Sequence, residues 1–156
     1  MPVTYVSGDP LLTTCDMLAL GHNAKGRTEL DKLATRVRDQ YPTAMAAYTR
    51  KARRGRIDPG EFFIWRQARP PLMFLCVRKS AVGATRLRYV QSILVTLARD
   101  YRLYQLRSLA IAPFANPYEY DEIKKLFDMW LRRTALQVVV YETYHAGVQA
   151  DEPSNW

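Results

Sequence analysis

The sequence has few of the residues from which metal sites and disulfide frameworks are built. Its 156 residues include two cysteines and two histidines, too few for a Cys/His zinc cluster. Cys15 and Cys76 both stand in apolar runs, where free thiols are usually buried and inert. We therefore expect no metal, and buried free thiols are typical of an intracellular protein.

Several segments and motifs are also missing. No apolar run approaches the length of a membrane span, and the start at 1–5 lacks the basic and apolar regions of a secretory signal. A cytoplasmic location is the resulting expectation. The absence of a Gly-x-Ser-x-Gly elbow argues against a serine hydrolase of that type. The absence of a Gly-rich Lys-Ser/Thr loop excludes a P-loop NTPase.

Acidic residues are outnumbered by basic ones. Lys+Arg 23 against Asp+Glu 15 gives a net charge of +8, which favours anionic partners such as nucleic acid. Net charge serves solubility equally well. Some of the cations follow a predicted helix, where they also suit the helix dipole, so non-specific nucleic-acid contact stays one of two interpretations. The cations that follow the helix are Arg50, Lys51, Arg53, Arg54 and Arg56, and the candidate nucleic-acid contacts are these together with Arg66 and Arg69.

What the sequence does contain is an alternation of apolar runs with helical periodicities. The runs predict strands at 3–7, 16–20, 61–67, 72–78, 108–113 and 137–142. The periodicities predict helices at 28–40, 43–54, 85–101 and 118–134, with Thr28 and Thr85 as N-caps. This order predicts a three-layer α/β/α sandwich with a mixed, largely parallel sheet. We expect one domain over 1–147 and a polar, frayed tail over 148–156.

Two predicted strands end in polar, Gly-containing breaks. They are Val6-Ser7-Gly8-Asp9-Pro10-Leu11-Leu12 and His22-Asn23-Ala24-Lys25-Gly26. Ligands of open α/β sheets bind outside such strand ends, and these two segments resemble those of the macro domain, the ADP-ribose-binding module. Cys76-Val77-Arg78-Lys79 followed by Thr85-Arg86-Leu87 looks like the branch of that family that removes ADP-ribose from DNA.

The resemblance implies a role for four side chains. Asp9 would accept a hydrogen bond from the adenine amino group, and Asn23 would hold the distal ribose as both donor and acceptor. Lys79 would attack or polarise the anomeric carbon, and Tyr144 would stack on adenine. Three of them have a plain alternative: Asp9 as a turn or cap residue, Lys79 as a solvated side chain and Tyr144 as a packing residue. The resemblance places further ligand contacts at Gly8, Pro10, Leu11, Gly26, Arg27, Thr85, Arg86, Pro113, Phe114, Ala115 and Asn116.

Both phosphate-binding loops depart from the Gly-rich pattern of that family. The segment 114–121 has no glycine, and its Pro117 lacks a backbone donor. The loop after Asn23 keeps Gly26, while Lys25 and Arg27 could supply charge instead of amides. Phe114 or Tyr118 filling the hollow would indicate a dead site.

Two functions follow, and the sequence leaves open whether the protein is an enzyme. One is a glycohydrolase that removes ADP-ribose from DNA, with Lys79 and Asn23 as catalytic residues and no metal or cofactor. The other is an inactive module of the same fold that binds ADP-ribose, another nucleotide, nucleic acid or a protein. The sequence predicts no oligomeric state.

Overall fold

In the computed structural model, which describes residues 3–153, the chain forms six strands and four helices. The strands are β1 (Val3–Gly8), β2 (Met17–Asn23), β3 (Phe62–Trp65), β4 (Leu72–Arg78), β5 (Ser108–Ile111) and β6 (Gln137–Tyr144). The helices are α1 (Lys32–Gln40), α2 (Pro42–Arg53), α3 (Leu87–Asp100) and α4 (Pro117–Leu131). A short 3-10 helix covers Pro10–Leu12.

The strands form one sheet in the order β1-β6-β5-β2-β4-β3. Neighbouring strands are parallel except β3 and β4, which are antiparallel. The predicted mixed, largely parallel sheet is therefore confirmed. Because the five parallel strands run in one direction, their carboxyl ends meet at the same edge of the sheet.

Each face of the sheet has its own apolar core, because successive side chains of a strand point to opposite faces. In β4, Phe74 and Cys76 pack with α1 and α2 on one face, and Leu75 and Val77 pack with α3 and α4 on the other. The same alternation places Arg78 on the α1/α2 face. No helix within residues 3–153 is both long and apolar enough to cross a membrane.

Two predicted helix starts are wrong, and in both cases another polar interaction decides the boundary. Helix α1 begins at Lys32 rather than Thr28, because the Asp31 carboxylate accepts the Ala34 amide at 2.8 Å and caps it. Helix α3 begins after Arg86, without a side-chain cap. The Thr85 hydroxyl instead accepts a hydrogen bond from Arg78 at 3.2 Å.

The expectation of a frayed tail is wrong for residues 148–153. The Val148 carbonyl accepts the Asp9 amide at 2.7 Å, and Ala150 is buried. The Glu152 carboxylate accepts hydrogen bonds from Thr13 and Thr14. The tail therefore closes over the 3-10 helix, while the prediction for 154–156 lies outside the described residues.

Candidate functional site

An open cleft of about 660 Å³ lies at the carboxyl edge of the sheet. Its apolar floor includes Leu20, Phe74 and Leu33. Its walls come from the loops that follow β2, β4 and β5, and from the end of β6 at Tyr144. This is the position where open parallel sheets bind ligands, and the volume is in the range of small-molecule sites.

The cleft depends on a close approach between β2 and the loop after β5. A Cβ added at Gly21 would lie 3.0 Å from Phe114 Cγ and closer still to its Cβ. The Phe114 ring packs edge-on against Phe127 of α4, with 6.3 Å between ring centroids. Tyr118 is 96% exposed. Neither aromatic ring fills the cleft, so the outcome that would indicate a dead site is not observed.

Two helices begin at the cleft wall. Asp31 caps α1, and the Asn116 side chain caps α4 by accepting the Glu119 amide at 3.1 Å. Asp31, Lys32 and Asn116 all line the cleft. Helix N-termini carry partial positive charge and favour anions. The cleft wall therefore has two helix N-termini in place of the missing glycine-rich loops, and an acidic side chain that also lines the cleft, Asp31 or Glu119, stands at each.

Arg78 joins three loops around the cleft. Its guanidinium pairs with the Glu29 carboxylate, donates to the Phe114 carbonyl, and donates to the Thr85 hydroxyl. The side chains of Arg78 and Glu29 are only 12% and 9% exposed. The sequence analysis assigned no role to Arg78. The signal that could have found it is the period of two along β4, which places Arg78 rather than Lys79 on the face of Phe74.

Asn23 is buried and holds the loop that follows β2. Its oxygen accepts the amides of Lys25 and Arg27 at 3.1 Å each. Its nitrogen donates to the Arg27 carbonyl at 2.9 Å and to Glu29 at 3.3 Å. These contacts use both donors and both acceptor sites of the amide. In this conformation Asn23 shapes the wall of the cleft and has no polar site left for a ribose.

Asp9 is buried beside the cleft and is fully hydrogen-bonded within the protein. Its carboxylate accepts from the Leu11 amide at 3.0 Å, the Gly147 amide at 2.8 Å and the Arg36 guanidinium at 2.5 Å. Burial alone would raise the pKa of Asp9, but the Gly147 and Arg36 hydrogen bonds outweigh it and hold this pKa below 3.8. Arg36 also donates to the Tyr144 hydroxyl at 2.8 Å, which connects Asp9 to the cleft.

Lys79 is exposed and does not line the cleft. The pKa of the Tyr89 phenol on α3 is lowered, first by a hydrogen bond from Arg88 and then by the charges of Arg88 and Lys79. Lys79 lines a second groove, together with Arg27 and Arg53. Lys79 therefore lies outside the cleft that Arg78 lines.

The sequence-predicted site residues thus fall into two groups, and their functional roles stay predictions. The cleft is lined by Thr85, Pro113, Phe114, Ala115, Asn116 and Tyr144. Residues outside its lining are Gly8, Asp9, Pro10, Leu11, Asn23, Gly26, Arg27, Lys79 and Arg86. Gly26 is instead needed for backbone geometry, since its φ is +66° and an added Cβ would lie 3.0 Å from the Thr49 carbonyl.

His22 lines the cleft as a buried, neutral side chain. Its Nδ1 accepts the Asn23 amide at 2.8 Å, and its ring lies 4.4 Å from the Tyr48 ring. Burial lowers the pKa of His22 from 6.5 to about 4. The unfolded chain therefore takes up this proton at a higher pH than the folded protein does.

We expect His22 to make the protein less stable in mild acid. The contribution of the neutral imidazole to the free energy of unfolding is fully present above about pH 6.5. It is lost as the pH falls toward 4, by about 3 kcal/mol in total. Urea unfolding at a series of pH values measures the effect. His22→Asn keeps an acceptor for the Asn23 amide. Its free energy of unfolding should be lower at every pH, but should change less between about pH 6.5 and 4. Equal slopes for the two proteins would contradict the assignment.

Comparison with solved structures identifies the class of fold. A macrodomain protein from Streptomyces coelicolor superposes with a TM-score of 0.69 at 18% identity, over 93% of this chain and 99% of that one. This chain therefore has the macrodomain fold, as the sequence resemblance implied. No family model matches the sequence, and no curated protein matches it.

The similarity extends to particular macrodomains named DarG. The macrodomain of Thermus aquaticus DarG matches with a TM-score of 0.80 at 23% identity, over 90% of this chain and 97% of that chain. The macrodomain of Mycobacterium tuberculosis DarG gives 0.78 at 20%, over 91% and 96%. Thermosipho africanus DarTG, solved in complex with ADP-ribose, gives 0.80 at 15% over 94% of this chain, which spans 42% of that one.

Proposed function

We propose that the cleft binds ADP-ribose or a closely related nucleoside diphosphate sugar. The observation that carries the proposal is the open cleft of about 660 Å³ at the carboxyl edge of a macrodomain sheet. A solved protein with the same fold is in complex with ADP-ribose. The proposal needs no metal, because the groups that line the cleft can recognise this ligand by stacking, helix dipoles and charge.

The lining suggests how the ligand would lie. Tyr144 offers an aromatic face for adenine. The N-termini of α1 and α4, together with Lys32, would face the diphosphate. The remaining ribose would then lie toward the loop at 81–85, which forms the opposite wall.

Titration calorimetry with ADP-ribose tests this proposal. Tyr144→Ala should weaken binding about 5- to 100-fold, since a stacked base contributes about 1–3 kcal/mol. Tyr144→Phe keeps the ring and should retain most of the affinity. Tyr118→Ala is the matched control, because that ring is 96% exposed and does not line the cleft. Absence of binding by the wild type at millimolar ligand, or equal loss in both alanine variants, would overturn the proposal.

Turnover is the second candidate, and the position of Lys79 favours it. Lys79 lies in the chain between two cleft-lining residues, Arg78 and Ala81, so its backbone adjoins the proposed ribose end although its side chain does not line the cleft. The reaction would add water across the glycosidic bond that joins a modified DNA base to the distal ribose of ADP-ribose. It would release free ADP-ribose and restore the unmodified base. Turnover is tested by incubating the protein with an ADP-ribosylated oligonucleotide and measuring the release of ADP-ribose. If Lys79→Ala still releases ADP-ribose, the assigned role of Lys79 is contradicted. If the wild type releases none, turnover is contradicted and binding is the remaining function.

A further inference from the structure

A cluster of cations surrounds the carboxyl end of α2. We call it the α2 basic surface. It lines two adjoining grooves of about 570 and 690 Å³, and Arg53 lines both. Its members are Lys25, Arg27, Arg38, Arg50, Arg53, Arg54 and Lys79.

The α2 basic surface has little internal charge compensation. Among the ion pairs of residues 3–153, none includes a member of it. Arg38 is held by uncharged acceptors, because its guanidinium donates to the Glu29 carbonyl at 2.8 Å and to the Thr35 hydroxyl at 3.2 Å. The acid that lines either groove is Asp58. Arg50 stands three residues before Arg53 on α2 and four before Arg54, the C-cap residue of that helix, a spacing at which like charges repel. An arrangement unfavourable in the free protein gains stability when an anion occupies it.

The structure separates these cations from others nearby in the sequence. The Lys51 ammonium lies over the Phe63 ring, 5.7 Å from its centroid. Arg66 donates to the Tyr104 carbonyl at 2.8 Å. Arg56 and Arg69 line neither groove. The helix dipole accounts for a cation or two at the end of α2, but Lys25, Arg27 and Lys79 lie outside that helix.

We propose that the α2 basic surface binds the phosphodiester backbone of nucleic acid. A row of cations along two adjoining grooves matches a row of phosphates. Among the residues that the structure describes, no aromatic side chain lines either groove, so bases find no stacking partner there and recognition is independent of sequence. Aromatic anchors dominate protein interfaces, and their absence favours nucleic acid over an acidic protein.

This function goes beyond ADP-ribose binding, because it needs neither the cleft nor a modified nucleotide. Arg50 and Arg54 do not line the cleft. The two activities are therefore separable by mutation, and the failure of one leaves the other intact.

The test is fluorescence anisotropy of the full chain with unmodified oligonucleotides of two unrelated sequences. Affinity for both should fall about 150-fold between about 50 and 200 mM salt, since four phosphate contacts give a log–log slope near −3.6. Arg50→Glu/Arg54→Glu should weaken binding at least about 10-fold at low salt, because two attractive contacts become repulsive. Its affinity for ADP-ribose should match that of the wild type.

The matched control is Arg102→Glu/Arg133→Glu, which makes the same change in net charge at exposed positions outside both grooves. It should retain binding to within about threefold, as a change in overall charge alone acts weakly across the molecule. Equal loss in the two double variants, or affinity that ignores salt, would overturn the proposal. So would poly-glutamate competing as well as the oligonucleotides do, since the surface would then prefer acidic protein.

Discussion

Replacing Arg78 with alanine is expected to lower the free energy of unfolding by about 3 kcal/mol and to abolish ligand binding. The change leaves the buried Glu29 carboxylate without its ion-pair partner, and breaking one side of a buried pair costs about 3–5 kcal/mol. It also removes the hydrogen bonds to Thr85 and to the Phe114 carbonyl. Three walls of the cleft would then be free to move independently.

Urea unfolding and calorimetry measure the two effects of this change. Arg78→Lys should recover little of either property, because an ammonium cannot reach three acceptors with the fork geometry of a guanidinium. Lys79→Ala is the control for stability, since its side chain is exposed at the next position of the chain. A cost below about 1 kcal/mol for Arg78→Ala, typical of an exposed ion pair, would contradict a structural role for Arg78.

Gly21→Ala is the second change with a large expected effect. The new methyl group would meet the Cβ of Phe114, an atom fixed to the backbone that cannot rotate away. The loop after β5 must therefore shift, at a cost of about 1–3 kcal/mol, as for other overpacked sites. Because Pro113, Phe114 and Ala115 line the cleft, we expect ADP-ribose binding to fall with stability.

Gly55→Ala separates packing from backbone strain. Gly55 has a φ of +66° with no heavy atom within 4 Å of an added Cβ, so only the left-handed conformation is penalised, by about 1–2 kcal/mol. This variant should lose some stability and keep its affinity for ADP-ribose. Thermal unfolding measures the stability of Gly21→Ala and Gly55→Ala, and calorimetry measures their affinity for ADP-ribose. Unchanged binding in Gly21→Ala would show that the Phe114 loop does not shape the cleft.

The fold could be predicted because its signals are local and repeated. The run Leu72–Arg78 was predicted with its observed bounds, and apolar residues at helical spacing located α3 and α4 to within three residues at each end. The helix starts were harder to predict. Thr28, Asp31 and Thr85 can all serve as caps, and only the folded chain decides which amides each one reaches.

The site could be predicted only in part, because its details depend on register and on distant partners. A shift of one residue along β4 exchanges Arg78 for Lys79 at the cleft. The sequence showed Asp9 and Asn23 as polar groups at strand ends, but the same side chains suit local turns. The contact of Arg36 with Asp9 joins residues 27 positions apart. No local pattern marks such a pair.

The pairing of β1 has a consequence for how the chain is made. Among the described strands, β1 contacts β6 alone, so β1 has no partner in this sheet until β6 has been synthesised. Such distant pairings form slowly and leave a strand edge exposed meanwhile. The end of the cleft near Tyr144, Arg36 and Asp9 is consequently assembled last, from the first and last strands of this sheet.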